Sequence, residues 1–142
     1  MHPIVVAIDG STPARGAADA GIALAARQQV PVHFVHVLAP PDWDDRGVPR
    51  RPLSTDEEHA LHRAEAHASE RGVAALVELL AEEGTPAQTL AGYADRIGAD
   101  VVVIGSRRRS GLGAAVLGSV SQGVVHHATC PVLVVPEGTG LR

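Results

Sequence analysis

Ile4-Val5-Val6-Ala7-Ile8 is a continuous apolar run near the start of the chain. A strand with one wet face alternates apolar and polar residues; an unbroken run is buried on both faces, which means a parallel sheet covered by helices. Val101-Val102-Val103-Ile104 reads as a second buried strand of this kind, and Val132-Leu133-Val134-Val135 as the last strand. Between the first and fourth strands lie Val32–Leu38 and the segment Val73–Leu80. The latter's composition permits helix or strand, and its place between Gly72 and the turn at Glu83-Gly84-Thr85-Pro86 favours strand.

Helical segments separate these strands. Ser11-Thr12-Pro13 is a helix start, with Ser11 or Thr12 as N-cap and Pro13 in the first turn. Ala14, Ala17, Ala18, Gly21, Ile22 and Ala25 then recur at helical spacing, small enough to pack closely on a sheet. Ser54 to Glu58 opens a second helix, with the pairs Ser54/Glu57 and Thr55/Glu58 both available for a capping box. Its apolar stripe is Ala60, Leu61, Ala64 and Ala68. Thr85-Pro86 begins a third helix with Leu90, Ala91, Ala94 and Ile97 on its inner face and Gly98 as C-cap. A fourth starts near Ser119 and ends before Thr129. The order β-α-β-α-β-α-β-α-β predicts a doubly wound α/β domain with right-handed crossovers. The expectation is one domain over 1–142, with a core of 1–137 and a tail of 138–142; Pro136 onward reads as frayed.

Composition narrows the function classes. One each of Phe34, Trp43 and Tyr93 leaves the core aliphatic. All twelve Lys and Arg side chains are arginine, which excludes a Walker-type lysine, a Schiff-base lysine and a lysine general base. The net charge of −4 argues against nucleic acid as partner. No apolar run reaches membrane-spanning length, and Met1-His2-Pro3-Ile4 lacks the features of a signal peptide, so the expected location is cytoplasmic. The lone Cys130 can form no intrachain disulfide.

His33 and His36 lie three apart on a strand and point to opposite faces, which argues against a shared metal. His59, His62 and His67 sit among charges on a helix and read as a solvated face. The 39–53 segment, with four prolines and Trp43, is too long for a plain connection.

Gly105-Ser106-Arg107-Arg108-Arg109-Ser110-Gly111-Leu112-Gly113 follows the fourth strand and leads toward the last helix. Glycines allow close backbone approach, and a helix N-terminus offers unpaired N–H groups and partial positive charge. The pair makes a phosphate site; an ordinary loop over a sheet edge fits the residues equally well. In open α/β sheets ligands bind beyond the strand C-termini at the switch in strand order. Asp9-Gly10 and Gly105-Ser106 would share that crevice if strands one and four are neighbours. Asp9 would then bond an adenosine hydroxyl or amine, or else cap the first helix.

The chain resembles the universal stress protein family. The resemblance rests on Val6-Ala7-Ile8-Asp9-Gly10-Ser11, Val35-His36-Val37, Ala99 to Ser106, Gly118-Ser119-Val120-Ser121 and Cys130 to Val135. It implies a five-stranded parallel sheet in the Rossmann-like order 3-2-1-4-5 with helices on both faces. Nucleotide-binding members carry Gly-x-x-Gly, nine residues, then Gly-Ser or Gly-Thr. Here Gly105 and Gly118-Ser119 match with the nine-residue spacing intact, and Arg108 stands in place of the middle glycine.

By that comparison Asp9, Val37 and Ile104 would hold adenosine, with Ala7 and Ile8 beside them. Gly105, Gly118, Ser119, Val120 and Ser121 would hold ribose and phosphates, with Arg108 at the broken position. The implied cofactor is ATP, with or without Mg²⁺, and the implied partner a second copy paired through Val132–Val135. No catalytic or metal-binding set emerges, because Asp9 is the one carboxylate near the expected site and no lysine or nearby histidine supports phosphoryl transfer. The resulting reading is an ATP-binding regulator without fast turnover. The alternatives are a dimeric interaction module that binds no nucleotide and an enzyme that cleaves ATP.

Overall fold

A computed structural model describes residues 2–38, 44–48, 53–108 and 115–138, with the side chains at 108, 115 and 116 left aside. Trp43 and positions 109–114 of the glycine- and arginine-rich stretch lie outside the described residues.

The elements are β1 (Ile4–Ala7), α1 (Thr12–Gln28), β2 (Val32–Leu38), α2 (Thr55–Glu70), β3 (Ala75–Ala81), α3 (Pro86–Ile97), β4 (Val101–Arg108), β5 (Ala115–Val116), α4 (Ser119–His127) and β6 (Val132–Pro136). Five strands pair in parallel in the order β3-β2-β1-β4-β6, so the fifth parallel strand of the expected 3-2-1-4-5 order is β6. β5 is an antiparallel addition, Arg107 opposite Val116 and Arg108 opposite Ala115.

Local chemistry explains the helix ends. Ser11 is the N-cap of α1, its hydroxyl accepting from Ala14 N at 3.4 Å. At α2 the Ser54/Glu57 box forms in full. Thr85 and Gln88 make a second box at α3, and Gly98 closes that helix in the left-handed conformation. Gln29 ends α1 with φ 56°, the one non-glycine positive φ among the described residues.

Two expectations need correction. The fourth strand does not stop at Ile104: it runs through Gly105 and Ser106 to Arg108. The reason is tertiary. β6 supplies a parallel partner for those residues, Gly105 opposite Val135 and Ser106 opposite Pro136, and this overrides the local preference of Gly-Ser for a loop. Nor is Pro136 frayed: it lies inside β6, and Glu137 N donates to Ser106 O at 2.8 Å, while 139–142 lie outside the described residues.

The core forms two layers, one on each face of the sheet. Ile4, Val6, Phe34 and Ile22 pack with α1 and α2 on one face. Val5, Val102, Leu90 and Val124 pack with α3 and α4 on the other. Each such side chain contributes about 1.5–3 kcal/mol when fully buried. Phe34 is the largest fully buried side chain among the described residues, and Tyr93 is the other aromatic in a core that is elsewhere aliphatic. Gly21 lets α1 lie on β1, because a Cβ there would overlap Val6 Cγ2.

Candidate functional site

The C-terminal ends of β1, β2 and β4 lie side by side, since β1 sits between β2 and β4. The first turns of α1, α3 and α4 gather around those ends and leave a cleft of about 580 Å³. That is within the usual size of a small-molecule site.

Ala7, Ile8, Asp9, Val37, Ile104, Gly105, Gly118, Ser119, Val120 and Ser121, all expected from the sequence, line this cleft. Arg108 is placed by its backbone, opposite Ala115 in the β4–β5 pair; its side chain is outside the description. Ser11, Pro13, Ala14, Val35, His36, Pro86 and Leu90 also line it, as do Ser106 and Arg107 of the expected crevice loop; the sequence reading assigns none of these a binding role. The signal for Ser106 was parity: once β4 continues past Ile104, residues 104 and 106 share a face. Pro86 and Leu90 carried no such signal, because nothing local says where α3 starts relative to the crevice.

Asp9 is exposed, and its Oδ1 accepts from Ser11 N at 2.9 Å, an Asx-type turn. It shapes the β1–α1 turn while Ser11 caps the helix. Gly105 has no room to spare, because a Cβ would overlap the Pro13 carbonyl. Ser121 is buried, and its hydroxyl donates to Gly105 O at 3.2 Å, tying α4 to β4 across the cleft. Ser106 is 3% exposed, and its Oγ is buried without a partner among the described residues. A polar group so left costs about 1–3 kcal/mol.

The cleft's electrostatics come from helix ends. Gly118 is the N-cap of α4 and has no side chain to cap it; the first intrahelical bond runs from Gln122 N to Gly118 O at 3.0 Å. The N–H groups of Ser119, Val120 and Ser121 therefore lack intrahelical partners. Neither α1 nor α4 has an acidic residue in its first turn. By contrast α2, no residue of which lines the cleft, has Asp56, Glu57 and Glu58 there. Exposed Arg107 adds a positive charge at the cleft. The arrangement is suited to an anion beside an apolar surface formed by Val35, Val37, Leu90 and Ile104.

The universal stress protein family model matches residues 1–136. The chain belongs to the universal stress protein family. Universal stress protein YxiE of Bacillus subtilis is 34% identical in an alignment of 150 positions that covers 95% of this chain and 99% of that one. A universal stress protein of Archaeoglobus fulgidus superposes with a TM-score of 0.76 at 29% identity, covering 94% of this chain and 98% of the other. A universal stress protein from Archaeoglobus fulgidus in complex with dAMP superposes at 0.71 with 26% identity, covering 94% and 97%. The family fold is therefore the fold observed.

Of the remaining histidines and acids described below, only His36 lines the cleft. His33 Nδ1 meets Tyr93 Oη at 2.8 Å on the α3 face. Burial lowers the His33 pKa against the opposing charge of Glu78, and burial likewise raises that of Tyr93. His36 faces the other way, as the spacing predicted, with Nδ1 on Ile8 O at 2.7 Å and Nε2 on the Glu57 carboxylate. His67 pairs with Asp19 at 3.0 Å, while His59 and His62 are exposed. Among the described residues no cluster of three or more His, Cys, Asp or Glu could hold a metal ion, and no helix is long and apolar enough to cross a membrane.

Proposed function

We propose that this universal stress protein binds an adenine nucleotide, ATP included, in the cleft between β1 and β4. It does so as a regulator that responds to the bound nucleotide, without fast turnover. The observation that carries the reading is the α4 N-terminus, uncapped and free of acid, opening at Gly118–Ser121 onto the same cleft as Asp9. In this reading Asp9, Val37 and Ile104 hold adenosine. The backbone of Gly105 and Gly118–Ser121 meets ribose and phosphates, and any Mg²⁺ arrives with the phosphates. The complex of the Archaeoglobus fulgidus relative with dAMP supports the same chemistry. Homodimerisation through the outer edge of β6 belongs to the proposal; the support is that β6 ends the sheet and carries Val132, Leu133 and Val134 half-buried.

Titration calorimetry with ATP, and with AMP in parallel, tests the reading. Saturable heat with one site per chain is expected. No heat with either nucleotide, and no change in melting temperature, would sink it. One observation favours the second reading, an interaction module without nucleotide: Arg108 occupies the motif's glycine position, and there the chain forms the β4–β5 pair. A protein that dimerises but binds neither nucleotide would establish that alternative.

A further inference from the structure

His36 is 7% exposed, yet it lines the cleft and both its ring nitrogens are engaged. One residue beyond the last β1–β2 register pair, Ala7 opposite Val35, the Ile8 carbonyl is taken by the imidazole Nδ1 at 2.7 Å. A carbonyl only accepts, so Nδ1 carries a proton. On the other side Nε2 meets the Glu57 carboxylate, which when ionised also only accepts. Both contacts are hydrogen bonds only if the pair holds one proton more than neutral imidazole and carboxylate hold together. Without it, two lone pairs face each other and one contact is lost.

The consequences reach the cleft by two routes. Ile8 precedes Asp9, whose carboxylate forms the β1–α1 turn. Gly10, at φ +85°, packs on the first turn of α2; a Cβ there would lie 3.3 Å from Glu57 N and 3.4 Å from Asp56 C. Glu57 is also the N3 residue of the α2 capping box. The pair thus joins the end of β1 to the start of α2 directly under the turn that carries Asp9.

Among the described residues, the charged groups that share the cleft with His36 are Asp9 at the end of β1 and Arg107 of β4, both exposed. From β3 the register partner of His36 is Leu79, and Glu78 acts on His33 and Tyr93 instead. From α1, Arg15 and Asp19 share a groove with Ile8 and with Arg63 of α2, and Asp19 is paired with His67. On α2 the acids beside Glu57 are Asp56 and Glu58, both exposed.

We propose that His36 and Glu57 form a proton-sharing strut that positions the Ile8–Asp9 end of β1, so that affinity in the cleft falls when the pair loses its proton. The inference rests on the nucleotide reading above. His36 is a positioning residue here, acting through Ile8 and Glu57.

The test is calorimetric titration of ATP from about pH 5 to about pH 8, the range in which imidazoles change charge, on wild type and Glu57→Gln. Glutamine can still serve the capping box, but it has no carboxylate to share the proton. ATP's own phosphate titration is common to both proteins. Wild type is expected to lose about fivefold more affinity across the span than Glu57→Gln, the factor one hydrogen bond carries. Parallel profiles would overturn the strut. In the ligand-free protein, ¹⁵N spectra of the His36 ring should show both nitrogens protonated at the acid end, with Nδ1 keeping its proton when the pair gives one up. A single neutral tautomer throughout would also overturn it. No ATP heat from wild type at any pH defeats the nucleotide reading instead, and the ring spectra then decide the proton-sharing pair by themselves.

Discussion

Gly105 and Gly118 are both motif glycines, but they differ in what surrounds them. A Cβ at Gly105 would overlap the Pro13 carbonyl and stand 2.9 Å from the Pro13 Cβ, so Gly105→Ala must push the first turn of α1 off β4. It is expected to cost about 1–3 kcal/mol, the usual penalty of overpacking, measured by urea denaturation. Gly118 has open space where a Cβ would go, and its φ of −77° and ψ of −179° suit any residue. Gly118→Val should therefore cost no more than the exchange of a glycine N-cap for a poorer one, about 1 kcal/mol, while abolishing ATP heat, because its side chain stands where phosphate would meet the α4 N–H groups. Loss of stability without loss of binding would refute that assignment. The sequence marked both glycines as places of close approach. It did not say that one approaches Pro13, since that neighbour is ninety-odd residues away in the chain. Glu57 offers a pH prediction at the same scale. Burial pushes its carboxyl up, but hydrogen bonds from Ser54 and the charge of His36 together hold it below the ordinary 4.5. On the acid limb, stability from Glu57 is thus present down to about pH 4.5 and lost as pH falls through the lower folded value. Glu57→Gln should lose less melting temperature than wild type below that point, and equal acid limbs would remove the argument.

Among elements, the legible ones were those whose burial wrote itself into the local sequence. β1 is an unbroken apolar run because helices cover both its faces. Helices α1, α2 and α3 announced their starts through Ser11, Ser54 and Thr85, whose side chains satisfy local N–H groups. β5 was not legible: two residues, Ala115 and Val116, form a strand only because β4 continues far enough to pair with them. That pairing matters for Arg108, whose backbone is extended and not left-handed, so the arginine carries no glycine-type strain there. Its effect on binding is then a side-chain effect. Arg108→Gly, titrated with ATP at low and high salt, separates two outcomes. If the guanidinium bonds the phosphates, the variant binds more weakly and wild-type affinity falls with salt. If it blocks them, the variant binds more tightly at both salts. The intact spacing from Gly105 to Ser119 favours retained binding, weakened by the arginine, and hence a gain of affinity in the glycine variant.

At the scale of the whole molecule, ligand and dimer leave different marks on stability, and one pair of measurements tells them apart. A ligand that binds only the folded chain adds RT ln(1 + [L]/Kd), about 2.7 kcal/mol at a hundredfold excess over Kd. For a chain of 142 residues the entropy of unfolding makes that about 9 °C in melting temperature. A dimer instead makes the melting temperature rise with protein concentration. The proposed contact is the outer edge of β6, where Val132, Leu133 and Val134 are half-buried in the single chain and no strand of the described residues pairs. An uncharged edge of this kind pairs readily, and lysine is the side chain that protein edges use against it. Val134→Lys should accordingly sediment as a monomer at micromolar concentration and melt at a temperature independent of concentration. Its response to ATP should survive, because Val134 lies outside the residues lining the cleft. If wild type already sediments as one chain, the β6 contact is wrong and the cleft is untouched by that result. If Val134→Lys loses the ATP response while remaining folded, the cleft depends on the second copy, and the site must be redrawn to include it.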